Sequence, residues 1–563
     1  MTERIAFILK KIIKEPVDFT VETQDRPEFG HYSTNAALRL SGKLKKVPVE
    51  VALELRERIL KADRSNFFAK IEVAPAGFIN FWLSRKTLLK AFSEIAQKKV
   101  FYGRRPQRKT APIIFEYSDP NIAKRMHVGH LRATIIGDAL ANIFKFMGYR
   151  PIRWNYLGDW GTQFGKIIAA YKLWGNKGAV EKNPIGELHN LYVRFHEELK
   201  NNPELEELGR KEFKKLEGGN AENRKLWQWF KKESLKEFNK IYQALGVNFD
   251  LWIGESFYEK NLRPLIERLV KKGIAKPSLG SLIIPLESSN LPPAMIQKSD
   301  GTSLYLTRDI ANLEYRISKY KPARIVYIVG NEQSLHFSQL FAIAKLLRFT
   351  QAELTHVKYG LVLGSHGKKL ATREGKAVLL EELIQKAIKE AQAVVEEKNT
   401  ALSKRAQKLI AEAVGIGALK YNDLSQNRQS DITFNWKKML NLEGNSAPYL
   451  MYTYARLRSI LRKGRRLGSL DVKHLHAPSE FDLILKLLQF PEVIEQIVSD
   501  YFPHHLADYL YDLAQRTNSF YHAEPVLKAK AGLREARLYL VRAVAETIKT
   551  GLNLLGIKTL ERM

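Results

Sequence analysis

Apolar residues along this chain follow two periods, and the changeover points divide it. The opening MTERIAFILKKIIKEP reads as an amphipathic helix, and Tyr32 to Ile59 keeps a helical repeat. IEVAPAGFINFWLS (Ile71–Ser84) alternates as two strands around a Pro-Ala-Gly turn. FYGRRPQRKTAP (Phe101–Pro112) mixes Gly, Pro and basic residues as a linker does. Beyond it, short apolar runs alternate with helical patterns. Ile113–Phe115 reads as a buried strand, and Leu131–Met147 as a helix stopped by Gly148. RIVYIVG (Arg324–Gly330) and KYGLVLG (Lys358–Gly364) read as strands buried on both faces, with a helix from about Phe337 to Arg348. Residues 171–250 form a charged, mostly helical insertion, and nearly everything after 375 reads as helix.

The expected fold is α/β: a doubly wound parallel-sheet (Rossmann-like) domain, a small N-terminal α+β domain and a C-terminal all-α bundle. The expected boundaries are 1–105, 106–375 with the insertion, 376–440 as a helical connector, and 441–563. A length of 563 residues suits three or four domains.

Charge adds a partner class. Lys and Arg number 91 against 60 Asp and Glu, a net charge of +31, which points to a polyanion. The chain has no cysteine, which excludes disulfides, thiolate catalysis and Cys-ligated zinc. No apolar stretch is long enough to span a bilayer, and the charged N-terminus does not read as a secretion signal, so the expected location is cytoplasmic with no membrane partner.

The chemistry concentrates in FEYSDPNIAKRMHVGH (Phe115–His130). His127 and His130 stand at the mouth of the helix, where unpaired N–H groups and the helix dipole favour an anion such as a triphosphate. Two imidazoles add hydrogen bonds as charge develops on phosphate oxygens. Gly129 leaves room for a flat ring against the backbone. This is equipment for activation by ATP without a Walker-type loop.

That segment, with NYLGDWGTQFG (Asn155–Gly165), SLYLTRDIAN (Ser303–Asn312) and SAPYLMYTYARLRSI (Ser446–Ile460), resembles the arginyl-tRNA synthetases, a class I aminoacyl-tRNA synthetase family. The resemblance runs from PEFGHYSTNAAL to the final LGIKTLERM. It implies that His127 and His130 bind ATP and stabilise the transition state at its α-phosphate, with Gly129 beside them. A substrate guanidinium is planar, permanently charged and offers five donors, so its receptors are carboxylates in fork geometry. Glu116 and Asp309 are the acidic candidates, with Glu314 the less favoured rival. Two plainer readings compete: Asp309 as a helix N-cap, and Glu116 as a strand-end carboxylate paired with a nearby Arg or Lys. By resemblance Asn121 and Gln333 hold the α-amino or carboxylate end, Tyr305 packs beside the guanidinium, and Asp159, Trp160, Gly161 and Gln163 lie near the substrate.

The family's second signature, a KMSKS-type loop, falls at GSHGKKLATREGKAVLL (Gly364–Leu380), where the second lysine is missing. Resemblance offers Lys124 as its substitute; Lys368, Lys369 and Arg373 are further cations for the phosphates. Tyr449, Tyr452 and Arg456 share a helix face that suits stacking on unpaired bases in an anticodon-binding domain. Asn80 is the candidate for contact with the tRNA elbow. The implied reaction is ATP-dependent activation of L-arginine and transfer to tRNA(Arg), with bound tRNA needed for adenylate formation. Mg2+ accompanies the ATP; no protein-bound metal, no editing domain and a monomer are expected. The alternatives are a class I synthetase for another amino acid and a non-catalytic RNA-binding relative.

Overall fold

The computed structural model describes the chain except residues 25, 365–377, 399–401 and 465–467. The N-terminal domain is a four-stranded antiparallel sheet flanked by helices. Its strands are β1 (Val21–Thr23), β2 (Tyr32–Thr34), β3 (Phe68–Val73) and β4 (Ile79–Leu83), in the order β1-β2-β4-β3. The β3–β4 hairpin is the pair read around Pro-Ala-Gly, closed by Gly77 N–H on the Ala74 carbonyl (2.8 Å). The helical repeat from Tyr32 needs correction at its start. Tyr32–Thr34 is the strand between β1 and β4, wholly buried, so it lacks the alternation that marks a strand. Helices Ala36–Leu44 and Pro48–Ala62 follow, separated where Lys45 turns left-handed (φ 54°) and Pro48 opens the next.

The linker-like stretch is irregular but anchored. Arg105 and Arg108 donate backbone N–H groups to Phe146 and Gly148 (3.1 and 2.7 Å), and Tyr102 Oη donates to the Leu487 carbonyl (3.0 Å). It thereby ties the central domain to the C-terminal helices.

The central domain holds a parallel sheet of β5 (Ile113–Glu116), β6 (Pro151–Asn155), β7 (Leu251–Trp252), β11 (Arg324–Gly330) and β12 (Glu353–Tyr359), in the order β12-β11-β5-β6-β7. Three antiparallel strands, β8 (Lys276–Ser278), β9 (Ser281–Ile284) and β10 (Ala294–Gln297), form a side sheet. The chain leaves β5 towards β6 on one side, while β11 pairs on the other. That reversal of strand order opens a crevice at the carboxyl ends of β5 and β11, where ligands bind in open α/β sheets. Helix Val128–Phe146 crosses behind the sheet, buried on nearly every face.

The apolar run Lys358–Gly364 is not one strand. β12 ends at Tyr359, and Val362–Leu363 pairs with Ile432–Thr433 in a separate sheet. The break is Gly360: a Cβ there would lie 2.6 Å from the Ser430 carbonyl oxygen, so the crossing needs glycine. The insertion comprises helices Thr162–Trp174, Lys177–Lys182, Pro184–Glu198, Glu204–Glu217 and Ala221–Leu245. Connector helices Leu380–Lys398 and Lys404–Leu424 lead to the bundle Ala447–Lys463, Pro478–Asp500, His504–Ala523 and Leu533–Leu554. Among the described residues no helix is long and apolar enough to cross a membrane.

Candidate active site

Three adjoining hollows open at the sheet's carboxyl edge, and Asn121 lines all of them. Its position is fixed by a bridge to Gly158 in the turn after β6, where a Cβ would strike Asn121 Oδ1 at 2.1 Å.

The first hollow, about 440 Å³, is walled by His127, Gly129 and His130 at the helix mouth and by the ends of β11 and β12. The local sequence builds a reciprocal cap. His127 Nδ1 accepts the Gly129 N–H and His130 Nδ1 accepts the His127 N–H, each at 3.1 Å. Accepting at Nδ1 puts the ring proton on Nε2, and the shorter amide contact favours this for His130 over donation from its Nδ1 to the His127 carbonyl at 3.3 Å, so both rings offer a donor to an anion. The rings lie 4.1 Å apart. Burial lowers the pKa of His127. Burial, and then the neighbouring imidazole, pull His130 down to about 3. Both histidines are therefore neutral donors at ordinary pH. Gly129 serves this cap directly, since a Cβ there would sit 2.9 Å from the His127 ring. Arg132, one turn on, is buried in an ion pair with Asp423 of the connector (3.0 Å) and donates to the Gly360 carbonyl (2.8 Å). It couples the wall of this hollow to the connector, a role the sequence did not disclose.

The second hollow, about 650 Å³, is acidic, and it brings Glu116, Asn121, Tyr305, Asp309 and Gln333 together. Asp309 is not an N-cap: helix Tyr305–Tyr320 is capped by Leu304, and Asp309 sits in its second turn. Its Oδ2 lies 2.6 Å from His336 Nε2. Glu116 takes the plainer of its two readings. The guanidinium it meets is that of Arg316, wholly buried and 4.2 Å from the Trp154 ring. Glu314, the rival, faces outward and pairs with Arg268 at 2.6 Å. Asp119 and Glu255 line the same hollow and were missed. Asp119 accepts the Tyr156 N–H at 2.9 Å; burial, then the nearby Glu116, raise its pKa well above the carboxylate range. Burial pushes Glu255 up to about 8 against the pull of Arg308. The available signals were Asp-Pro in SDPN, a turn former, and a carboxylate just past the end of β7. Crowded acids with raised pKa values return to the charged form when a cation arrives, so this cavity is built for one.

The third hollow places Lys124 with His127 and His130. Lys368, Lys369 and Arg373 lie outside the described residues. Asp159 and Trp160 turn away from the cavities. Asp159 is wholly buried, accepting from Lys231 Nζ and from Ser256 N and Oγ (both 2.8 Å), while Trp160 packs against Trp227. Asp159 ties the insertion to the sheet. Asp159→Ala is expected to lower stability by about 1–3 kcal/mol, seen as a lower urea midpoint.

Two of the tRNA candidates are largely buried. Asn80 is largely buried on β4 between Ser33 and Glu72 of the neighbouring strands. Tyr449 is a core residue, accepting a hydrogen bond from Asn518 (2.8 Å) and packing on Tyr511. Tyr452 is exposed, and the Arg456 guanidinium stacks 4.2 Å from the ring of Tyr521, also exposed. Among the described residues no group of three or more His, Cys, Asp or Glu is placed to hold a metal ion.

The central domain thus pairs a doubly wound sheet with two histidines that cap the helix following its first strand. The family described as tRNA synthetases class I (R), catalytic domain, matches residues 92–436; the DALR anticodon binding domain matches 450–563, and the arginyl tRNA synthetase N terminal domain matches 1–83. The arginine–tRNA ligase of Halothermothrix orenii is 40% identical over 553 residues, covering 98% of this chain and 96% of its own. That of Fusobacterium nucleatum is 41% identical over 555 residues, with coverage of 98% and 96%. The solved arginyl-tRNA synthetase of Thermus thermophilus superposes with a TM-score of 0.83 at 28% identity, spanning 100% of this chain and 99% of that one. The Plasmodium falciparum arginyl-tRNA synthetase gives 0.82 at 27%, with the same coverage. The chain belongs to the arginyl-tRNA synthetase family, whose catalysis is ATP-dependent.

Proposed function

We propose that this chain activates L-arginine with MgATP and transfers the arginyl group to tRNA(Arg). The observation that carries the reading is the junction of two hollows of opposite preference. One, at a helix mouth, offers two neutral imidazole donors to phosphate. The other collects carboxylates for a cation. The two share Asp119, Asn121, Val329, Glu332 and Gln333, so a ligand in each meets the other there. Arginine lies with its guanidinium towards Asp309 and Tyr305 and its α-carboxylate towards Asn121 and Gln333. That carboxylate attacks the α-phosphate in line, pyrophosphate leaves, and Nε2–H of His127 and His130 takes up the charge that develops. The adenylate then passes to a ribose hydroxyl at the tRNA end. Mg2+ is part of the nucleotide substrate. Tyr452, Arg456 and Tyr521 offer the exposed stacking surface for unpaired bases, and the enzyme works as a monomer in the cytoplasm.

Arginine-dependent ATP–pyrophosphate exchange, with and without tRNA(Arg), is the test. Exchange that requires arginine supports the reading. Exchange with another amino acid replaces the substrate, and tRNA binding without exchange makes the chain an RNA-binding relative.

Lys124 stands beside the histidines in the hollow that adjoins them, its Nζ 5.4 Å from the Tyr192 ring. Lys124→Ala is expected to slow exchange about 10–100-fold, with the arginine Michaelis constant within about twofold. An unchanged rate would pass the role to a cation of the 364–380 loop. Tyr452→Ala is expected to weaken tRNA(Arg) binding by about 1–3 kcal/mol, read by filter binding, with exchange intact once tRNA(Arg) is saturating.

A further inference from the structure

Glu116 and Asp309, the two carboxylates assigned to a cationic ligand, each carry a cation of the protein, and the two cations differ in kind. Arg316 on Glu116 is wholly buried and permanently charged. His336 on Asp309 is half-buried at the start of helix Ser334–Leu346, lines the cavity, and belongs to the one side-chain class that discharges near neutral pH. A guanidinium reaching Asp309 meets an imidazolium already on the same carboxylate. In a cavity walled by Tyr156, Tyr327 and Phe337, two cations on one carboxylate repel strongly.

Building on the arginine-activating role, we propose that arginine enters this site in exchange for a proton. Its guanidinium takes the Asp309 oxygen held by His336 Nε2, and His336 gives its proton to solvent. One positive charge enters as one leaves, so the charge of the pocket is conserved. His336 is thereby a specificity-determining residue, because a neutral isostere brings no charge to replace the proton.

The surroundings of His336 fit this exchange. Burial opposes its charged form, but the Asp309 hydrogen bond and charge, with Glu116 farther off, outweigh it, so its pKa lies above the ordinary value. Glu116 faces it from β5 with Arg316 attached, and Glu332 and Glu255 line the same hollow. His356 on β12 packs on the far side, 4.5 Å from the Phe337 ring; its own pKa is lowered, mainly by burial, to about 4, so it adds no charge at neutral pH. Proton and arginine then compete. Arginine affinity rises with pH by up to about tenfold per unit and levels off above the pKa of free His336.

Titration calorimetry of L-arginine into the full chain, in two buffers of unequal ionisation enthalpy, reads the exchange. At neutral pH the expected result is release of up to one proton per arginine, vanishing at alkaline pH. L-Citrulline should release none. His336→Gln, which keeps a donor for Asp309, should bind arginine with a proton count lower than the wild type's, any remainder coming from Glu255 and Asp119 as they ionise beside the ligand. Equal heats in both buffers, or the same proton count in His336→Gln as in wild type, with binding abolished by Asp309→Ala, would overturn the exchange and leave the arginine reading standing. Arginine binding that ignores Asp309→Ala, or no binding, would overturn both. The wild-type pH series needs no variant to fold.

Discussion

Asp309→Ala raises the Michaelis constant for arginine by about 30- to 1,000-fold, a loss of about 2–4 kcal/mol. The argument is one of scarcity. The acidic cavity has several carboxylates, and two of them are engaged in ways a ligand cannot easily undo. Glu116 holds Arg316, and Asp119 is tied to the Tyr156 amide. Arg308 lies 3.0 Å from Glu259 and 4.0 Å from Glu255. Asp309 rests on a dischargeable partner, His336, so it is a carboxylate a guanidinium can take over. Asp309→Asn keeps the shape and loses the charge, so it should cost nearly as much. Affinity for tRNA should not move, because the exposed stacking surface lies in the C-terminal bundle, on helices Ala447–Lys463 and His504–Ala523. The measurement is the arginine dependence of ATP–pyrophosphate exchange. An unchanged Michaelis constant removes Asp309 from the pocket.

What the sequence disclosed follows what is local. The strand Ile113–Glu116, the loop, and the histidines at the helix mouth lie within a few turns of each other in the chain, so period and cap chemistry place them. Pairings across the sheet are not local. Arg316 reaches Glu116 from 200 residues away, and no periodicity in either segment announces it. The carboxylate was legible as a strand-end acid, and its partner was not. Tyr449 and Tyr452 show a second limit. Helical spacing places residues relative to one another, but which side faces the neighbouring helix is decided by the packing of His504–Ala523 against Ala447–Lys463, which buries Tyr449 and exposes Tyr452. The run Lys358–Gly364 shows a third. Composition shows that Tyr359 and Val362 are both strand-like, but only the close approach of residue 360 to the 430 backbone shows that they belong to different sheets. His336 was passed over because, in NEQSLHF, it reads as one polar residue on an apolar helix. Its meaning comes from Asp309, across the cavity.

The second large effect is expected at His130. His130→Ala slows adenylate formation by about 10²–10³-fold while leaving the arginine Michaelis constant nearly unchanged, because it removes a donor that acts on charge developing at phosphorus. It also opens the cap, since the His127 N–H loses its acceptor. His130→Gln keeps an N–H near the Nε2 position and should recover part of the rate. Acidity separates the two roles. The folded pKa of His130 lies near 3, well below the ordinary value for an unfolded chain of about 6.5. Above about pH 6.5 neither state binds a proton there, and the site contributes no pH dependence. As pH falls from there towards 3, the unfolded chain takes up a proton that the folded chain refuses, so stability is lost on acidification. Urea midpoints across that range should fall less steeply in His130→Gln than in wild type. Exchange by the wild type, in contrast, should show no inflection from His130 over the same range, because the imidazole remains the neutral donor that the phosphate requires. A wild-type rate that collapses with an apparent pKa near 6.5, traced to His130 by the Gln variant, would mean the ring is solvated and protonated in the working enzyme, and the charge balance at the nucleotide would have to be drawn again from Lys124 outward.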